Sequence, residues 1–210
     1  MLNATQWGVV GGLVAALAAG TVASAQESPA GAVASRQEPL IVFDFEESLQ
    51  DWGIPDWAQE SADHVGKTVD LSKEVASHGT GSMQVFADFP GGRWTGSYIE
   101  VLMYVTDWSP FGSISVDVYL PPKTPQGLLA RFILTVGEKW EWTEMNRPIP
   151  LEPGQWTTIT AHLKPGSLDW KFFPTEAFRK DIRKLGIRIE SDKNPAYSGP
   201  IYLDNLRLSP

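Results

Sequence analysis

The chain is 210 residues long, carries a formal charge of -8 and contains no cysteine, so it holds no disulfide framework, thiolate nucleophile or cysteine-based metal site. Acidic residues outnumber basic ones 25 to 17 and no basic run occurs, which excludes nucleic acid as a partner because phosphate binding needs clustered Lys and Arg. A composition of 42% hydrophobic and 20% charged residues belongs to a globular chain with one core, and nine Trp are its unusual component.

From Met1 to Ala25 no side chain is charged. Residues 7–23 form a run of apolar and small residues, and Ala23-Ser24-Ala25 fits the small-x-small site of signal peptidase. Left uncut, the same run is long enough to span a bilayer. Residues 1–25 are therefore expected to be a signal peptide or an N-terminal membrane anchor. Either one places the rest of the chain outside the cytoplasm, periplasmic or extracellular. Residues 26–38, rich in Ala, Ser, Pro and Gly, read as a flexible linker, and residues 39–210 as a single domain.

From residue 39 the apolar period is two rather than 3.6. Strands are expected at 40–45, 82–89, 97–105, 113–121, 131–136, 156–163, 187–190 and 200–208. In 97–105, Ile99, Val101, Met103 and Val105 alternate with Tyr98, Glu100 and Tyr104. In 113–121, Ile114, Val116, Val118 and Leu120 alternate with Ser115, Asp117 and Tyr119. Turn signals separate these segments, among them Gly79-Thr80-Gly81, Pro90-Gly91-Gly92, Pro153-Gly154 and Pro165-Gly166. Only residues 175–184 read as helical, with Phe178, Ile182 and Leu185 on one stripe. Many half-buried strands at close spacing, with no crossover helices, predict an all-β fold. The expectation is a two-sheet antiparallel β-sandwich, a jelly roll, with one short helix.

The sequence offers little for catalysis. His64, His78 and His162 have no zinc-type spacing, and no nucleophile elbow, phosphate loop or dinucleotide fingerprint occurs. Glu138, Glu141 and Glu144 cluster beside two Trp, but strand parity turns Glu141 away from the other two, leaving a single pair on one face. The aromatic pattern is more informative. Trp140 and Trp142 stand two apart, which on a strand projects both indoles from one face. Trp52, Trp57, Trp94 and Trp108 fall in segments bounded by Gly, Pro or Asp. Flat indoles cover the apolar face of a sugar ring while polar side chains reach its hydroxyls. Glu100, Tyr104, Asp117, Tyr119, Arg131, Thr135, His162, Arg188 and Glu190 all have outward parity and form the pool of such partners.

Several motifs in order resemble secreted carbohydrate-binding modules of the β-jelly-roll (galactose-binding-like) type. These are Phe43-Asp44-Phe45-Glu46, His78-Gly79-Thr80-Gly81-Ser82, Ile114-Ser115-Val116-Asp117-Val118-Tyr119-Leu120-Pro121, Pro153-Gly154-Gln155-Trp156-Thr157 and Ile201-Tyr202-Leu203-Asp204-Asn205-Leu206. The stretch Gly137-Glu138-Lys139-Trp140-Glu141-Trp142 is most similar to modules attached to mannan-degrading enzymes. The resemblance covers residues 39–210. It implies a structural calcium ion held by Glu46 and Asp204, with carbonyls near His78 or Gly79. It also implies a sugar platform of three Trp, placed at Trp57, Trp94 and Trp140 or Trp142, with Arg131 and Glu138 as polar helpers. The function implied is non-catalytic binding of a polysaccharide, mannan-like on this resemblance. The alternative is a membrane-anchored accessory subunit of an envelope complex that uses the same fold without sugar.

Overall fold

The computed structural model describes residues 40–191, 193 and 195–210; the expected signal or anchor segment and the linker lie outside the described residues. The elements in chain order are β1 (Leu40–Phe43), α1 (Asp56–Gln59), β2 (Gly66–Ser72), β3 (Ser82–Pro90), β4 (Thr95–Leu102), β5 (Ser113–Tyr119) and β6 (Leu128–Val136). Then follow β7 (Glu141–Glu144), β8 (Ile149–Pro150), β9 (Trp156–His162), α2 (Glu176–Lys180), β10 (Ile182–Ser191) and β11 (Ala196–Ser209). They build two antiparallel sheets. One has the order β2-β3-β11-β5-β9 with β1 on β11; the other has β4-β10-β6-β7 with β8 on β6.

The alternation visible in the sequence is what forms these layers. Val85 and Ala87 of β3, Ile114, Val116 and Val118 of β5, and Ile159 and Ala161 of β9 are buried on one sheet. They meet Ile99 and Val101 of β4, Phe132 and Leu134 of β6, and Leu185, Ile187 and Ile189 of β10 from the other. Each sheet hides its apolar face on its neighbour, as an aligned sandwich requires. In β11 the inward set Ile201 and Leu203 continues as Leu206 and Leu208, a change of parity made by a bulge between Asp204 and Arg207, where Asn205 has φ 51°. The bulge leaves Asp204 on the outer side, against the 77–78 turn.

Three readings of the sequence are corrected. The helix expected over 175–184 closes after one turn: Thr175 caps it through its side chain, which accepts from Phe178 N–H, and α2 ends at Lys180. Ile182 and Leu185 then belong to β10, where Leu185 begins a period-two run, so their helical spacing to Phe178 is coincidental. The strand expected over 97–105 starts earlier and ends at Leu102, leaving Val105 exposed. Trp52 and Trp108, expected among the loop aromatics of a binding face, are core residues at 3% and 0% exposure. Trp52 packs edge-on against Phe43 with ring centroids 5.5 Å apart, and Trp108 Nε1–H donates to Val105 O at 2.8 Å.

Candidate functional site

The outer face of the five-stranded sheet gathers the aromatic and polar residues. Strand parity turns Tyr98 and Glu100 of β4, Lys184, Gly186, Arg188 and Glu190 of β10, Arg131, Ile133 and Thr135 of β6, and Trp142 and Glu144 of β7 to this side. Register pairs Tyr98 with Arg188 and Arg188 with Arg131. It also pairs Glu100 with Gly186 and Gly186 with Ile133, and sets Thr135 against both Lys184 and Trp142.

Trp57 reaches this face from α1. A backbone bridge between Gly53 and Glu100 fastens the preceding segment to the edge of β4, with Glu100 N–H donating to Gly53 O at 2.9 Å. Ala58 is buried beneath the helix, so the next-door Trp57 points outward and stands edge-on against Tyr98, with centroids 5.1 Å apart. Trp94, just ahead of β4, lies over the Arg188 guanidinium at 5.3 Å, and Tyr98 flanks the same guanidinium at 5.3 Å. These are cation–π contacts that hold both rings in place. Trp57 and Trp142 are 49% and 45% exposed, far more than a core aromatic tolerates. Between them opens a cavity of about 110 Å³, lined also by Tyr98, Thr135 and the Glu100–Lys184 ion pair, whose N···O distance is 2.6 Å.

Next to this cavity, four buried charges close a ring. Arg131 Nη1 donates to Glu144 Oε1 at 3.0 Å and its Nη2 to Glu190 Oε1 at 2.6 Å. Arg188 Nε donates to Glu190 Oε2 at 2.6 Å. Arg188 Nη1 lies 2.9 Å from Glu144 Oε2 but off the hydrogen-bonding axis, so this last side of the ring is an ion contact. Lys171 adds a third cation, 2.5 Å from Glu144 Oε1. Burial pushes the Glu144 carboxyl up, yet the Lys171 hydrogen bond and the two guanidiniums outweigh it and hold the group below the ordinary Glu range.

Of the six residues expected to bind a ligand, Trp57, Trp94, Trp142 and Arg131 share this face. Arg131 is not a free donor, because the ring already holds its guanidinium. Glu138 and Trp140 lie past the strand ends in the β6–β7 turn. Trp140 adopts φ 56° there, so the two indoles of the W-x-W motif do not stand on one strand. Trp140 is 48% exposed and stacks with the Arg183 guanidinium at 5.3 Å. Lys184 falls at the end of the segment whose sequence reads as helix and Gly186 between it and the strand expected at 187–190, so neither shows its outward parity in the sequence; Tyr98 and Glu100 have the parity their alternation predicts.

The residues expected to hold calcium are engaged in another way. Asp204 Oδ2 accepts from Ser77 N–H at 2.7 Å, His78 N–H at 2.9 Å and the Ser77 hydroxyl at 3.2 Å. Glu46 Oε1 accepts from Thr80 N–H at 2.9 Å and Gly81 N–H at 3.1 Å, and its Oε2 from the Thr80 hydroxyl at 2.8 Å. The turn at 77–81 thus meets both carboxylates with donors rather than with carbonyls. Those Thr80 and Gly81 amides hold Glu46 below its ordinary pKa, while burial, opposed by the amide bonds, leaves Asp204 above its own. A cation is already present: Lys73 Nζ donates to Glu46 O at 2.5 Å and Thr80 Oγ1 at 3.4 Å, and lies 3.9 Å from Glu46 Oε2. Calcium takes six to eight oxygens, and among the described residues no group of three His, Cys, Asp or Glu is placed to hold a metal. Lys73 thus supplies a positive charge beside Glu46, while the amides of the turn and the Ser77 hydroxyl satisfy Asp204.

No protein-family model matches the chain, and no curated protein matches it in sequence. Its fold does match solved structures. The CBM27-1 of Caldicellulosiruptor saccharolyticus, in complex with mannohexaose, aligns with a TM-score of 0.57 at 20% identity, over 82% of this chain and 97% of that one. A non-crystalline-cellulose-specific carbohydrate-binding module, CBM28, aligns with a TM-score of 0.61 at 12% identity, over 83% and 96%. A structure of carbohydrate-binding modules from the β-sandwich superfamily aligns at 0.55 and 14% identity, over 80% of this chain and 61% of that one. The chain has the β-sandwich fold of these modules.

Proposed function

We propose that the chain is a non-catalytic polysaccharide-binding protein that takes a β-linked glycan across the outer face of its five-stranded sheet. The observation that carries this reading is the pair of half-exposed indoles, Trp57 and Trp142, flanking a cavity whose wall is the Glu100–Lys184 pair. Indole faces cover the C–H side of a pyranose, and an ion pair at the wall both accepts from and donates to its hydroxyls. The carboxylates on this face are each held by cations, which suits binding and not proton transfer. The likeness in fold to modules solved with mannohexaose or specific for cellulose supports the ligand class, and a linear mannan is the first candidate. Residues 1–25 give the proposal its location: they export the domain to the periplasm or the exterior, or anchor it at the membrane.

Titration calorimetry of the full chain against mannohexaose, cellohexaose and xylohexaose tests the reading. Binding to at least one is expected, lost in Trp57→Ala and Trp142→Ala while the melting temperature stays within a few degrees of wild type. Absence of heat with all three, or binding unchanged in both variants, would overturn it.

A further inference from the structure

Two outward positions of this sheet have no side chain: Gly96, where a Cβ would crowd Arg188 Cδ at 3.1 Å, and Gly186, where it would crowd nothing. Gly186 lies mid-sheet in the row Glu100–Gly186–Ile133–Glu144, and its outward neighbours along β10 are the long Lys184 and Arg188. Glycine inside a strand loses packing and adds chain entropy to the unfolded state, so it is normally found where the backbone needs it. Here the backbone does not. Gly186 is not among the residues with positive φ. A Cβ built on it would come no closer than 3.4 Å to any atom, the nearest being Ile133 Cβ and Ile99 O. Neither conformation nor crowding calls for glycine, and what its absent side chain leaves is the floor of the cavity between Trp57 and Trp142.

Resting on the reading above, we infer that Gly186 sets the ligand specificity of this face by opening a subsite for one unbranched hexopyranose of a linear glycan. The volume of about 110 Å³ is small beside the roughly 300–1,000 Å³ of pockets that enclose a whole ligand. That admits an edge of one pyranose with its hydroxyls, flanked by the two indoles, and leaves no space for a glycosyl branch carried on the inserted edge. Alanine at 186 would intrude little; valine or leucine would fill the floor.

The test uses the full chain, with mannohexaose, cellohexaose and xylohexaose as linear probes and a galactosyl-branched mannohexaose as the branched one. Gly186→Val and Gly186→Leu are expected to weaken binding of the preferred linear probe at least tenfold with a melting temperature equal to or above that of wild type. The branched probe is expected to bind wild type at least tenfold more weakly than linear mannohexaose. Gly186→Leu binding within twofold of wild type, equal affinity for branched and linear probes, or failure of Gly186→Val to fold would each overturn the inference. If Trp142→Ala abolishes binding while Gly186→Leu does not, the binding face stands and the subsite falls. If neither variant changes binding, or wild type ignores every linear probe, the binding face itself falls and takes the subsite with it.

Discussion

Replacing Glu190 with Gln removes one charge from the ring beneath the aromatic residues and changes little else in size. The Glu190 side chain is 4% exposed and receives two 2.6 Å contacts, one from Arg131 and one from Arg188. In the Glu190→Gln variant three cations, Arg131, Arg188 and Lys171, face the single carboxylate of Glu144. Breaking a buried ion pair from one side costs about 3–5 kcal/mol, since the remaining charge stays buried without its partner. For a domain of this size each kcal/mol lowers the melting temperature by about 2–4 °C, so a fall of about 6–20 °C is expected. Thermal unfolding followed by circular dichroism measures it, with Asp63→Asn as the control. The Arg93–Asp63 pair has the same formal charges at 2.9 Å but is 55% and 50% exposed, and losing it should cost no more than about 1 kcal/mol. A fall of less than about 3 °C in Glu190→Gln, or one no larger than in the control, would refute the claim that the ring is a desolvated, mutually dependent unit.

Three further outcomes are expected. Trp142→Ala, at a site 45% exposed, should change the melting temperature by no more than a few degrees while abolishing glycan binding; a large loss of stability would make it a packing residue. His64 is held below the ordinary histidine value, chiefly by burial. The unfolded chain therefore takes up a proton before the folded one does, and this contribution to stability is present above about pH 6.5 and lost as pH falls below it. The melting temperature of wild type should thus drop more than that of His64→Gln between about pH 7.5 and 5.5, and parallel curves would contradict the assignment. Chelation with EDTA should leave the melting temperature unchanged, whereas Lys73→Met should lower it by a few degrees; a fall on chelation that calcium restores would show that the Glu46 region holds an ion after all.

The layered β architecture was legible in the sequence because period-two burial is a local property: Ile114, Val116 and Val118 in β5 need only their own spacing to declare a face. What local pattern does not carry is which loops fold back over the sandwich. Trp52 and Trp108 have flanks as rich in Gly, Asp and Pro as those of Trp57 and Trp94, yet the first pair is sealed by contacts to Phe43 and to the backbone at Val105. Parity likewise placed Arg131 and Arg188 on the outer face, but the carboxylates that close on them come from β7 and from two residues further along β10. The turn at 77–81 was recognised as a site of carboxylate contact. The sign of its contacts was not, because whether a turn offers amides or carbonyls depends on its dihedrals.

The central claim concerns which indoles meet a glycan, and indole N–H resonances of the isotope-labelled chain report on each Trp separately. On titration with mannohexaose, the account predicts shifts at Trp57 and Trp142. No change should occur at Trp108 and Trp170, whose N–H groups are bonded inside the fold to Val105 O and His162 O. Shifts confined to Trp156, on the outer face of the six-stranded sheet beside Tyr119, would place the binding surface on the wrong sheet and contradict the account.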